Sequence, residues 1–291
     1  MLKVLFVINP RSGNRVSDNL ELIISEQSRI QGFNFLIYRL ESNDEESRIK
    51  NEISEYSPEI VAVAGGDGTV NLLAKILYQS SIAMLIVPLG SANGMAKELG
   101  IGNRVENALS LITTGIRKNI DLIKINNNLC IHLGDVGLNA SIVRRFEKDT
   151  KRGLITYARH LFKELFFINR YRFEIVADGK MIKCKAVSLT FANASKYGTG
   201  AVINPIGKLD DGKFEIVIIK PFAKVHLVSI SWKMFLGTLQ TSEFVEVISC
   251  SEAFIKTSKR TTLQVDGEVI GKVKEIRISV LPGSLSVIVP A

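Results

Sequence analysis

The stretch VAVAGGDGTVN, Val61 to Asn71, decides the fold. Ile60 to Ala64 is a short apolar run without a polar break, the pattern of a strand buried on both faces. Two glycines stop it, and a helix is expected from Thr69 to about Tyr78. Strand, glycine turn and helix is the layout in which backbone N–H groups cradle phosphate. The middle of the turn, however, is Asp67, and no lysine follows it. A bare carboxylate beside a triphosphate is repelled, so a cation must lie between them, and Mg²⁺ bridges carboxylate, water and phosphate oxygens in such sites. The stretch therefore predicts a magnesium-nucleotide loop, with glycines for the phosphates and Asp67 for the metal.

The same alternation extends on both sides. Strands are expected at Lys3 to Ile8, Asn34 to Leu40 and Ala83 to Val87, and helices at Ser17 to Gln31, Asp44 to Tyr56, Ala92 to Leu99 and Val105 to Thr113. Short buried strands alternating with helices predict an α/β domain with a doubly wound parallel sheet over residues 1–120. After Asp121 strand patterns follow closely: Leu122 to Ile125, Cys130 to Asp135, Phe173 to Val176, Met181 to Ala192, Phe214 to Lys220, Thr262 to Val265, Glu275 to Val280 and Ser284 to Val289. Asp178-Gly179 and Asp266-Gly267 read as hairpin turns. Helices are expected only at Gly153 to Ile168 and Ala223 to Leu239. Residues 121–291 are thus expected to form a second, mostly antiparallel β-sandwich domain packed directly on the first, with a cleft between them.

With 46% hydrophobic residues in 291, the chain can bury a large core, and its length favours two domains. A net charge of +8 suggests an anionic partner. Cys130, Cys184 and Cys250 are an odd, scattered set, read as reduced thiols of a cytoplasmic protein. No apolar run is long enough to span a bilayer, and the N-terminus lacks the pattern of a signal peptide. The protein is expected to be soluble, or at most peripheral at the inner face of the membrane.

Three strand ends carry unusual loops: NPRSGN (Asn9 to Asn14), GGDGTVN and PLGSANG (Pro88 to Gly94). In a parallel sheet they share the carboxyl edge, where ligands bind. Ser12, Thr69, Ser91 and Asn93 add side-chain donors there. A P-loop is excluded by its spacing and missing lysine, and the dinucleotide fingerprint fails at Asn71. Singly, each loop reads equally as a tight turn; three on one edge favour a nucleotide site.

These motifs resemble the diacylglycerol kinase catalytic family along nearly the whole chain. GGDGT also occurs in NAD kinases. NPRSG is similar to the lipid-kinase family's first nucleotide motif. PLGSANGMA is similar to its third, in the variant of sphingosine and ceramide kinases, and KLDDG (Lys208 to Gly212) and LQVDGE (Leu263 to Glu268) resemble its signatures in the β domain. The resemblance implies a nucleotide site at Asn9, Pro10, Arg11, Ser12, Gly13, Gly65, Gly66, Asp67, Gly68, Thr69, Asn71 and Ser91. It implies a structural magnesium held by Asp211 with the backbone carbonyls of Lys208 and Lys213, and a general base at Glu268. Leu72, where many members have glutamate, Gly94 in place of aspartate, and the lack of a threonine near Glu41 and Ser42 depart from the family pattern.

The reading is an ATP- and Mg²⁺-dependent lipid kinase of phospholipid metabolism, with diacylglycerol as the simplest substrate and phosphatidic acid as product. An NAD kinase-like enzyme and a non-catalytic nucleotide- or lipid-binding module are the alternatives. The basic stretch Arg144 to Leu165 is read as a solvated helix face, or else as a surface that meets anionic lipid. Nucleic acid is not expected as a partner, because no binding motif accompanies the charge; a homodimer is left open. His132, His160 and His226 show no ligand spacing, and Trp232 and Phe235 are expected in the core.

Overall fold

Runs of six residues without polar breaks become inner strands only if neighbours cover both their faces. A computed structural model describes residues 1–12, 19–41, 44–137, 169–196 and 202–291. The chain forms two units, Met1–Ile120 with Gly283–Ala291, and Asp121–Pro282. In the first, β1 (Lys3–Ile8), β3 (Ile60–Gly65) and β4 (Ala83–Pro88) are buried almost throughout, and β2 (Asn34–Arg39) is a half-exposed edge. The parallel order is β2-β1-β3-β4. Helices α1 (Leu20–Gln31), α2 (Glu45–Tyr56) and α3 (Asp67–Leu77) connect these strands, followed by α4 (Gly94–Glu98) and α5 (Val105–Thr114). The step from β1 to β2 runs one way along the sheet, and the next two steps run the other. Right-handed crossovers therefore put α1 on one face and α2 and α3 on the other. Accordingly α1 packs on α5 and α2 on α3. The direction reverses between β1 and β3, and open α/β sheets bind ligands beyond the carboxyl ends at such a point.

Two boundaries differ from expectation. Helix α3 starts at Asp67, because the Gly66 carbonyl accepts from the Thr69 and Val70 N–H groups at 3.0 and 3.1 Å. Asp67, Gly68 and Thr69 are therefore the first helical turn. The larger difference is Gly283–Ala291, expected in the second domain but part of the first unit. Val287 pairs in parallel with Met84 of β4. Leu285 to Val289 is buried without alternation, as a covered parallel strand requires.

The second unit contains β5 (Ile116–Ile125), which enters from the first, then β6 (Asn128–Cys130), β7 (Leu133–Gly137), β8 (Tyr171–Ala177), β9 (Lys180–Ala186), β10 (Ser188–Ala192), β11 (Phe214–Ile219), β12 (Val245–Cys250), β13 (Glu252–Val265) and most of β14 (Glu268–Val289). One layer runs β12-β11-β10-β7-β13. Past the register shift between Lys256 and Thr261, the first half of β13 pairs instead with β8. Strand β13 thus belongs to both layers. Phe173 and Ile175 of β8 meet Phe191, Phe214 and Ile216 in the core between them. The expected single strand Met181 to Ala192 is two, since β9 pairs with β8 and β10 with β7 and β11, so the chain changes layers at Val187. Both hairpin turns form: Asp178-Gly179 and Asp266-Gly267 have φ of 43°, 77°, 47° and 87°, the left-handed pair that a two-residue turn needs.

Helix α6 (Leu227–Leu236) covers the outer face of the β10–β11 layer, with Ile230 and Met234 packed on Val187, Val217 and Phe222. Trp232 and Phe235 are not core residues; each is 66% exposed. They sit at i+2 and i+5 from Ile230, on the side of the helix turned away from the sheet. The expected helix at Gly153 to Ile168 and the basic stretch Arg144 to Leu165 lie outside the described residues, as do Gly13, Ser17, Asp18, Ser42 and His160.

Candidate functional site

Beyond β1, β3 and β4 the parallel hydrogen-bond ladder continues for one step into the loops. The Asn9 N–H donates to the Ala64 carbonyl at 2.9 Å, and the Leu89 N–H to the Gly65 carbonyl at 3.0 Å. Asn9 then organises the first loop. Its amide donates to Thr69 Oγ1 at 3.0 Å, its Oδ1 accepts from the Arg11 N–H at 3.0 Å, and its carbonyl accepts from the Ser12 N–H at 3.0 Å. The first loop is thereby tied to the first turn of α3. Gly65 is required there, because a Cβ would stand 2.6 Å from Thr69 Oγ1.

The second and third loops meet at Gly66 and Gly90. A Cβ on Gly90 would stand 2.6 Å from Gly66 Cα and 2.8 Å from Asn93 Oδ1. The Asn93 amide donates to the Gly90 carbonyl at 2.7 Å, and the Met95 N–H donates to Asp67 Oδ1 at 3.3 Å. The three loops enclose a cavity of about 520 Å³ lined by Arg11 and Ser12, Gly66 and Asp67, and Leu89 to Ala92. It sits at the point of the sheet where the direction of winding reverses.

Of the sequence-predicted residues, Arg11, Ser12, Gly66, Asp67 and Ser91 line this cavity. Asn9, Gly65, Thr69 and Asn93 form its framework. Pro10 is exposed in the first loop, Gly68 has open space where a Cβ would be, and Asn71 is buried within α3 without lining the cavity. Leu89, Gly90 and Ala92 are additional wall residues. Apposition of Gly90 with Gly66, 24 positions earlier, leaves no local mark in the sequence.

Asp67 places a carboxylate at the N-terminus of α3, the end whose dipole and N–H groups favour an anion. A phosphate in the same cavity needs a cation to share that wall. Among the described residues no three His, Cys, Asp or Glu side chains converge as a metal site. One partly exposed carboxylate with phosphate and water oxygens is nevertheless a donor set that suits Mg²⁺.

In the second unit, the KLDDG turn is gripped from below. Asp121, 2% exposed, donates its N–H to the Leu209 carbonyl at 2.6 Å and accepts from the Gly212 N–H at 2.7 Å. Asn193 donates to the Asp121 carbonyl at 2.7 Å and to the Ile131 carbonyl at 3.0 Å. Lys208, Asp211 and Lys213 are exposed, and Asp211 Oδ1 accepts from the Lys213 N–H at 3.1 Å. The turn offers the carboxylates of Asp210 and Asp211 and backbone carbonyls, all oxygen donors of the kind magnesium takes.

Glu268 is exposed and opposite Val265, immediately after the Asp266-Gly267 turn. That turn is fixed by Asp266, whose Oδ2 accepts from the Ile131 N–H at 2.9 Å and whose Oδ1 accepts from those of His132 and Leu133 at 3.0 and 3.1 Å. Burial pushes the Asp266 carboxyl upward, opposed by these N–H groups and by His132. Gln264 adds a second tie, accepting from the Gly267 N–H at 2.8 Å while donating to buried Asp135 at 2.5 Å. The cysteines are free thiols, and burial pushes Cys250 up to about 12, so it is a packing residue rather than a nucleophile.

Residues 3–125 match the model of the diacylglycerol kinase catalytic domain, and residues 135–289 match that of the YegS C-terminal NAD kinase beta sandwich-like domain. A Salmonella heidelberg protein described as "Probable lipid kinase YegS" is 26% identical over 82% of this chain and 80% of its own length. An uncharacterized protein of Synechocystis sp. is also 26% identical, over 79% of this chain, but the match spans about half, 54%, of its length. The crystal structure of a diacylglycerol kinase from Bacillus anthracis superimposes with a TM-score of 0.79 over 99% of this chain and 96% of that one, at 20% identity, a likeness of fold. With both family models matched in sequence and together spanning the two units, the chain belongs to the diacylglycerol kinase catalytic-domain family of YegS-like lipid kinases.

Proposed function

We propose that this member of the family is an ATP- and Mg²⁺-dependent kinase that phosphorylates a lipid hydroxyl, with diacylglycerol as substrate and phosphatidic acid as product. The observation that carries the reading is the cavity at the switch point of the sheet, walled by three glycine-containing loops and by Asp67. Backbone N–H groups of the loops and the α3 N-terminus suit the phosphates, and Asp67 would hold the metal that accompanies them. Magnesium, when bound, neutralises charge on the transferring phosphoryl group. Asp211 with the carbonyls of Lys208 and Lys213 is assigned a second, structural magnesium. In the reaction the lipid oxygen bonds to the γ-phosphorus, the bond from that phosphorus to the bridging oxygen breaks, and ADP departs. The lipid hydroxyl's proton passes to Glu268, the assigned general base.

The test is a panel of lipids and NAD with labelled ATP, with and without Mg²⁺, and products identified by mass. Magnesium-dependent labelling of diacylglycerol is expected. Labelling of NAD alone would move the reading to the NAD kinase alternative, and ATP binding without any product would leave a non-catalytic module.

A further inference from the structure

Helix α6 is apolar on two sides, and the fold uses only one. Ile230 is 4% exposed and is seated with Met234 in the outer core of the second unit. Trp232, Phe235 and Leu236, related by i, i+3 and i+4, are 66%, 66% and 60% exposed, and Val225, seven residues before Trp232, is 77% exposed. Scattered surface leucines need no explanation, but a grouped aromatic and aliphatic face on one helix marks an interaction surface. Its surroundings restrict the partner. From Lys220 to Ser242 the chain carries three lysines and not one Asp or Glu. Lys220 is paired with Glu246 at 2.9 Å, but α6 itself carries Lys233 and no carboxylate, and an apolar helix face with a tryptophan and a lysine has the composition of a helix lying in the headgroup region of an anionic membrane.

We propose that the face formed by Trp232, Phe235 and Leu236 of α6, with Val225 in the short helical turn before it, seats the protein on an anionic lipid bilayer, the apolar side chains entering the headgroup boundary and Lys233 meeting lipid phosphate. A family of lipid kinases finds its substrates in such a surface, so the face would deliver the enzyme to them. The inference concerns binding to the bilayer and holds whichever lipid is phosphorylated.

Trp232 is the sole tryptophan of the chain, so its fluorescence reports on this face alone. Vesicles of phosphatidylglycerol and phosphatidylcholine should shift the full-length protein's emission to the blue, brominated acyl chains should quench it, and pure phosphatidylcholine vesicles should do so far less. Replacing Phe235→Ser together with Leu236→Ser should weaken vesicle binding on the order of 10²-fold with an unchanged melting temperature. No spectral change on anionic vesicles would overturn the proposal. So would emission that shifts with protein concentration in the absence of lipid, which would make the occupant a second copy. A melting temperature lowered by several degrees in the double variant would show the face to be covered within the chain, and would also overturn it. Vesicle binding without turnover on any lipid would refute the proposed activity and leave this surface standing. Turnover of a water-soluble short-chain lipid with no vesicle binding would do the reverse.

Discussion

Substituting Gly90→Ala probes the cavity at its tightest joint. The backbone of Gly90 is not in the left-handed region, so the added methyl acts by volume alone. It would lie 2.6 Å from Gly66 Cα and 2.8 Å from Asn93 Oδ1, whereas carbon atoms rest at about 3.5–4.0 Å. The second and third loops must therefore part by about 1 Å. They cannot do so freely, since the Leu89 N–H is bound to the Gly65 carbonyl at 3.0 Å and the Met95 N–H to Asp67 Oδ1 at 3.3 Å. Overpacking of this kind costs about 1–3 kcal/mol, which should lower the melting temperature of the first unit by on the order of 3–10 °C. A 1 Å displacement of groups that position a substrate can cost about 10² in rate, so kcat/KM for ATP should fall by about that factor. The matching change Gly66→Ala puts its Cβ at an ordinary 3.4 Å from Gly90 Cα and should melt within about 2 °C of the parent. Thermal melts, nucleotide titration and steady-state kinetics on the two variants decide. If Gly90→Ala equals the parent in melting temperature and ATP affinity, the close apposition of the two loops does not hold the site.

Asp67→Asn should abolish turnover in a protein whose circular dichroism is unchanged, because asparagine fits the helix start but removes the charge that holds the metal; near-normal activity would reject that role. Glu268→Gln should lower kcat by about 10²–10⁴ with ATP affinity near that of the parent, and a joint fall of both would return the hairpin to an ordinary turn. Asp266→Asn keeps a residue tolerant of φ 47° but turns an amide toward backbone N–H donors, so it should destabilise the second unit by about 1–3 kcal/mol, measured by urea unfolding. Glu215 is 3% exposed, and burial raises its carboxyl pKa against hydrogen bonds from Asn204 and Ser249. The folded state thus binds the proton more tightly than the unfolded chain, and stability falls as pH rises from the unfolded value of about 4.3 through the folded one. Melting the parent and Glu215→Gln at pH values below and above that window should show the variant gaining relative stability with pH; parallel profiles would remove the effect.

The loops that wall the cavity were legible because each follows a buried apolar run and opens with residues that stop a strand. What joins them was not. Gly90 differs from any other glycine only by what it faces, and the grip of Asp121 on Gly212 spans 91 positions. Asp266 reaches Ile131 across 135. Such ties depend on the sheet register, which no local pattern carries. Trp232 and Phe235 misled because hydrophobicity predicts burial only where a helix has one apolar face, and α6 has two. The change of layers at Val187 was hidden for another reason: no Gly, Pro, Asn or Asp interrupts the run from Met181 to Ala192, and only the partners of the two strands differ. The expected strands Glu275 to Val280 and Ser284 to Val289 are one, since β14 runs through Pro282-Gly283 from the second unit into the first.

The passage of β14 from the second unit into the first governs the order in which the protein can fold as it is made. The parallel sheet of the first unit is discontinuous in the chain, since its strand beside β4 is synthesised only after the whole of the second unit. Until Gly283–Ala291 emerges, β4 presents an uncovered row of backbone donors and acceptors next to wholly apolar neighbours, a template for pairing with other chains. A nascent chain must therefore hold an open edge while Asp121–Pro282 is synthesised, and completion of its first unit waits on its second. A fragment ending near Ile120 would inherit the same open edge permanently.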